Sequence, residues 1–217
     1  MKRTLSLAAI AAVTASGCAS GLHSDAPTPQ AYVLRATPAP AAVARAAEGA
    51  SVRVMRPYAA PGLDSDHIML LQSDRRLSHY ASSRWAAALP DVVEALAVDT
   101  VRASAAWSAV EDSHSSFVAD YYLQITIRRF EADTTEGASP VVHVSLSCML
   151  GRGVDHELIA AFPADGSAAA GENRLGAVVA AFEQAANAAL AAASEGAAQA
   201  LRTSRSPSPP AADKPSN

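Results

Sequence analysis

The sequence predicts an α+β fold, a single domain in which a mixed or antiparallel sheet carries two amphipathic helices packed on one face. Three observations predict it. Several segments alternate apolar and polar residues with a period of two, as strands with one buried face do. Two longer segments place their apolar residues at helical spacing instead. Each segment has a single apolar side, so strands and helices share one core, with the helices laid on the sheet as a second layer.

Taken in order, Tyr32-Val33-Leu34 is a short strand followed by a Pro/Ala-rich connection. Ser51 to Pro57 puts Val52 and Val54 on one face and stops at a proline, which cannot continue a ladder. Ile68–Gln72 and Leu77–Ser82 flank the polar Ser73-Asp74-Arg75-Arg76 and form a β-hairpin. Leu89-Pro90-Asp91 opens the first helix, with the proline in the first turn and the carboxylate favourable to the helix dipole. Val93, Leu96 and Thr100 carry that helix to about Ala103, and Trp107 to Val110 is a short strand.

From Tyr121 to Phe130 the alternation is clearest: Tyr121, Leu123, Ile125 and Ile127 point one way, Gln124, Thr126 and Arg128 the other. Val141 to Leu150 repeats it, with Val142, Val144, Leu146, Cys148 and Leu150 against His143, Ser145 and Ser147. Gly151-Arg152-Gly153 supplies a turn, and Asp155 to Phe162 returns as the partner strand. Leu175, Val178, Val179, Phe182, Ala186 and Leu190 mark the stripe of a long helix ending at about Leu201.

The two ends read differently from this body. Lys2 and Arg3 precede an apolar run, Leu5 to Thr14, too short for a permanent span. Ala15-Ser16-Gly17-Cys18 then places a cysteine where a lipoprotein signal needs one, with Ala15 where Leu is usual. A plain secretory signal cut nearby would leave Cys18 unmodified. The expected organisation is a leader at 1–17, a lipidated Cys18 with a tether to residue 30, a domain at 31–201, and a disordered tail at 202–217. That tail holds Ser206-Pro207-Ser208-Pro209-Pro210 and almost nothing large and apolar.

Charge and cysteines narrow the function. The formal net charge is −4, and loss of Lys2 and Arg3 with the leader lowers it by two. A mildly acidic body argues against nucleic acid as a partner, and against a broad basic patch that would hold anionic lipid headgroups. With Cys18 in a thioether, Cys148 has no intramolecular partner, so stability rests on a packed core and not on a disulfide framework.

Candidate chemistry is thin. Asp64-Ser65-Asp66-His67 groups hard-cation ligands but lacks the further ligands of a calcium loop, and reads as a polar turn. His143, His156 and Glu157 lack zinc-ligand spacing. A G-x-S-x-G elbow is missing from the sequence, and Gly151-Arg152-Gly153 lacks the spacing of a phosphate loop. Cys148 sits in an apolar register as an inert thiol. Arg84-Trp85 is either a recognition patch or, with Trp85 turned inward, packing of the hairpin onto the first helix. No cofactor, metal or catalytic residue is expected.

Several stretches resemble a known family. Gly62-Leu63-Asp64-Ser65-Asp66-His67-Ile68-Met69-Leu70, the turn at Asp74-Arg75-Arg76-Leu77, Tyr80-Ala81 and Arg84-Trp85-Ala86 with Leu89-Pro90 resemble the ABC-type transport auxiliary lipoproteins, the family of paraquat-inducible protein C-type outer-membrane lipoproteins. So do Ala119-Asp120-Tyr121 through Phe130-Glu131-Ala132, and Asn173-Arg174-Leu175 through Phe182-Glu183. The similarity runs from about Ala31 to Leu190. It implies a non-catalytic component, lipid-anchored at the outer membrane. Its implied partners are an ABC transporter and a mammalian-cell-entry (MCE) domain protein moving phospholipid or other hydrophobic cargo, with homo-oligomers also in view. The competing expectations are a small periplasmic hydrolase or metal-binding enzyme using His67, His143 or His156, and a purely structural envelope lipoprotein.

Overall fold

The computed structural model describes residues 28–37, 49–135, 137 and 139–205. The expected leader, Cys18, most of the tether and the Pro-rich segment from Ser206 onward lie outside the described residues. Among the described residues the elements are β1 (Gln30–Tyr32), β2 (Ser51–Val54), β3 (Tyr58–Ala59), β4 (His67–Leu71) and β5 (Leu77–Trp85), then α1 (Leu89–Ala103) and β6 (Ala109–Glu111), and finally β7 (Tyr121–Asp133), β8 (Val141–Arg152), β9 (Leu158–Ala169) and α2 (Leu175–Arg205).

The fold is the expected one, a single mixed sheet with two helices. β7 is its spine. One side of β7 pairs antiparallel with β8 along its length, and β9 lies beyond β8. The other side takes three short parallel partners in turn: β2 at Tyr121–Leu123, β3 at Thr126–Ile127 and β4 at Ala132–Asp133. β6 flanks β2, and β5 and then β1 flank β4.

A β-bulge explains how β7 serves two packing regions. Tyr121, Leu123, Ile125 and Ile127 are buried as the alternation requires, but the next buried apolar residues are Phe130 and Ala132. Ile127 pairs with Leu146 and Arg129 with Ser145, so Arg128 is an extra residue that reverses the facing. Strict alternation would have left Phe130 on the wet side. A larger irregularity in β5, where His67 pairs with Arg84 but Met69 with His79, likewise turns Trp85 inward.

Trp85, Phe130 and Phe182 then meet as the aromatic centre of the core, all at most 1 % exposed. Trp85 stands edge-on to both rings, at 6.1 Å from Phe130 and 5.2 Å from Phe182, while Phe130 and Phe182 stack at 5.2 Å. Trp85 therefore ties the hairpin to β7 and α2, in the same core cluster that takes in Leu89, Val93 and Leu96 of α1. Burying three such rings beside Ile125, Leu123 and Val178 supplies the apolar area that a disulfide-free domain needs.

Three boundaries differ from expectation, each for a physical reason. Gly151 and Arg152 remain paired in β8, and the turn falls at Gly153–Glu157, with His156 at a positive φ of 58°. β9 consequently starts at Leu158 and runs on to Ala169, tolerating Pro163 because its outer side has no strand partner among the described residues. The first strand ends at Tyr32; Leu34 is still buried, but the following backbone is held by α2 side chains, with Arg35 N donating to Glu183 Oε2 and Thr37 N to Asn187 Oδ1.

α2 runs four residues past its expected end, to Arg205. It is long and apolar enough to cross a membrane by composition, yet Val178, Phe182, Ala186, Leu190 and Leu201 are buried in the domain core. It lies close against β9. A Cβ at Gly166 would stand 2.1 Å from the Ala185 carbonyl oxygen, and Gly196 makes room for the Phe162 ring.

Candidate functional site

The positions singled out from the sequence scatter over the fold. Asp64–His67 forms a turn whose main job is structural: Ser65 O accepts from Leu89 N (2.8 Å) and Asp66 O from Trp85 N (2.7 Å). That replaces the side-chain cap which Ala88 cannot provide at the start of α1. Asp66 also pairs with Arg84 at 3.2 Å, so Arg84 braces the turn. His67 stacks on His79 at 4.3 Å. His143 lies opposite Glu131 near one end of β8, whereas His156 and Glu157 lie past its other end, with Glu157 bound to Arg152 at 3.0 Å. Among the described residues no group of three His, Cys, Asp or Glu side chains is placed to hold a metal ion. Cys148 is buried, and burial pushes its thiol up to about 12, with nearby Asp165 adding to the rise.

A depression on α1 lined by Asp91, Glu94, Asp99 and Asp112 is acidic, but its carboxylates already have work. Asp91 accepts from Arg56, Asp99 from Arg102, Asp112 from His114 N, and the buried Glu94 from Ser113 N at 2.8 Å.

What distinguishes the surface is a corner where exposed apolar side chains gather. β2 and β7 begin there, β8 ends and β9 begins there, and α2 terminates there. Val118 is 90 % exposed and Val154 86 %, and both line a notch of about 390 Å³ closed by Arg152 and Arg205. Phe117, 73 % exposed, precedes Val118. Around the edge, on the sheet face away from the helices, Met55, Tyr122, Met149 and Leu158 line a groove of about 360 Å³.

The corner is fixed by backbone contacts. Gly153 N donates to Asp120 O at 2.7 Å, and a Cβ at Gly153 would fall 2.5 Å from Ala119 O, so only glycine permits this approach. Asp120 Oδ2 accepts from Ser51 N and from Ser51 Oγ, both at 2.8 Å, joining the starts of β2 and β7. Those two bonds hold the Asp120 carboxyl below the usual carboxylate range, against a small opposing effect of burial. Behind the corner, the helix-free face continues through Gln124 and Thr126 of β7 and Ser145 and Ser147 of β8 to β9, a twelve-residue strand whose outer side has no strand partner among the described residues. No sequence signal located this corner. Its residues are single apolar side chains in loops, without period or motif.

Comparison with known proteins gives the context. The family of the ABC-type transport auxiliary lipoprotein component matches residues 32–194. A crystal structure of a Xanthomonas campestris protein superposes with a TM-score of 0.71 at 25 % identity, covering 82 % of this chain and 98 % of that one. A second structure, of an uncharacterized protein, gives 0.55 at 14 % identity over 82 % and 98 % of the two chains, a likeness of fold alone. No curated protein matches the sequence.

Proposed function

The chain belongs to the ABC-type transport auxiliary lipoprotein family, and on that premise we propose that it is a non-catalytic docking component of an intermembrane lipid transport system, held at the outer membrane by acyl chains on Cys18. Its partner in this reading is an MCE-domain protein served by an ABC transporter. Residues 19–29 are the tether, ending where Gln30 enters β1, and the helix-free sheet face with the β9 edge is where the partner binds.

The observation that carries the docking role is the architecture of that face. Both helices lie on one side, leaving β7, β8 and β9 with a polar face and an unpaired edge. An edge of this length is a ready template for main-chain pairing with a partner, and Pro163 in its middle limits indiscriminate pairing. The histidines and carboxylates proposed for an enzyme lie apart or are engaged in structural bonds, which favours binding over catalysis.

Two measurements test the reading. Cys18→Ala should release the domain, still folded, into the soluble periplasmic fraction and abolish support of the envelope barrier. A variant that stays in the membrane fraction and functions fully overturns the anchor. Co-purification of the intact protein with its MCE-domain partner tests the docking role, and replacing His67, His143 and His156 together with Ala should leave barrier function intact.

A further inference from the structure

We propose that the apolar corner is a contact surface for a phospholipid bilayer, with Phe117, Val118 and Val154 entering the interfacial layer. The proposal rests on the reading that the protein works at a membrane, and adds which part of the domain touches it.

Five features point to a bilayer as the occupant. The three side chains stand on two separate loops at the end of the sheet, each at least 73 % exposed, so they protrude as tips. Two backbone donors behind them are satisfied internally: Gly153 N bonds Asp120 O at 2.7 Å and Arg152 N bonds Glu157 O at 2.8 Å. Those donors stay paired when the tips leave water, a condition for entering an apolar layer. Tyr122, Met149 and Leu158 extend the apolar surface directly behind, and a tyrosine's apolar ring with a polar end suits the interface.

Charge agrees. Arg205 lines the notch, and Arg152 beside it carries two carboxylates, Asp155 at 3.1 Å and Glu157 at 3.0 Å, so local acidity is neutralised rather than turned toward lipid phosphates. The chain outside the structure completes the case. Twelve residues from Cys18 to Gln30 span at most about 40 Å, roughly the diameter of a domain of this size. The tether alone lets any side face the membrane, and a second contact is what would set the orientation.

The test uses the mature chain from residue 18 with Cys18→Ser, which carries no acyl group, and vesicles of phosphatidylethanolamine and phosphatidylglycerol. Trp85 and Trp107 are 0 % and 5 % exposed, so a Phe117→Trp indole is the one that lipid quenchers can reach. Brominated acyl chains should quench its fluorescence and leave a Val33→Trp control, at an exposed site on another edge, unquenched. Val154→Asp should lower vesicle partitioning about tenfold, the loss expected for one buried apolar side chain, with an unchanged melting temperature. Absence of quenching, or equal partitioning of the parent and Val154→Asp, overturns the proposal. If vesicles do not bind but Val154→Asp abolishes capture of a protein partner, the corner is a protein interface and the lipid assignment is wrong. Failure of the anchor itself is read separately, by the mass of mature Cys18.

Discussion

Gly166→Ala should be strongly destabilising although it adds one methyl group to a strand. The added Cβ would lie 2.1 Å from Ala185 O, 2.8 Å from Ala189 N and 3.1 Å from Ala185 C, against ordinary contacts that begin at 3.4 Å. All three obstructing atoms are helix backbone, so no side chain can rotate away. α2 must retreat by about an ångström, loosening the contacts of Phe182, Ala186 and Leu190 that it presents on the same stripe. Overpacking of this kind costs about 1–3 kcal/mol, and backbone on both sides of the clash favours the upper end. For a domain of this size each kcal/mol is worth about 2–4 °C, so the melting temperature should fall by about 6–12 °C. Gly176→Ala is the matched control: it lies exposed at the start of the same helix with nothing within 4 Å of the added atom. It should gain a few tenths to about 1 kcal/mol from the lower entropy of the unfolded chain. Thermal melts followed by circular dichroism decide the matter. Equal shifts for the two variants, or a Gly166→Ala melt within about 2 °C of the parent, would refute the close approach of α2 to β9.

Phe182→Ala removes the ring that contacts both Trp85 and Phe130 and should cost about 3–5 kcal/mol in urea unfolding; a loss below about 1 kcal/mol would mean those rings repack freely. Cys148, with its thiol pushed up to about 12, should resist maleimide under native conditions and react only on unfolding, so rapid native labelling would contradict its burial. Asp120 is held below its unfolded value by its two bonds from Ser51, so its contribution is present above the usual carboxylate range and lost as pH falls through the folded value. Asp120→Asn should flatten the acid limb of the stability curve, and an unaltered limb in the variant would remove that assignment.

Much of the fold was legible because one-sided burial writes a period into the sequence. Val142, Val144, Leu146, Cys148 and Leu150 are all buried, the hairpin stands where its polar turn placed it, and α1 starts where Pro90 and Asp91 placed it. Periodicity failed where the facing changes without a change in composition. The extra residue at Arg128 moves Phe130 into the core, and nothing local announces it. Gly153 illustrates a second limit: a glycine looks like a turn signal, yet its role here is to let one backbone pass against another, which depends on a partner 33 residues away, Asp120. The resemblance to transport auxiliary lipoproteins was readable because it rests on ordered stretches spanning most of the domain. The apolar corner was not, since it exists only once strand directions bring distant loops together.

Those directions also give the corner its meaning. β7 runs parallel to β2 and antiparallel to β8, and α2 runs back along β9, so five chain segments must end or begin at one edge of the sheet. The opposite end is built by the same logic: the β4–β5 turn, with Asp74, Arg75 and Arg76, lies beside the end of β7 at Asp133. Among the described residues of the β4–β5 turn, Leu77 is the large apolar side chain exposed at that end, beside polar residues such as solvent-facing loops generally carry. Nothing in the topology requires the two ends to differ. The core is already closed beneath both, and Phe117, Val118 and Val154 add nothing to it. Exposed apolar side chains that the fold does not use lower solubility unless something covers them. Their concentration on one end, on loops pinned by Gly153 and Asp120, is what the proposed bilayer contact accounts for, and the sheet behind them would then set how the proposed partner face is presented.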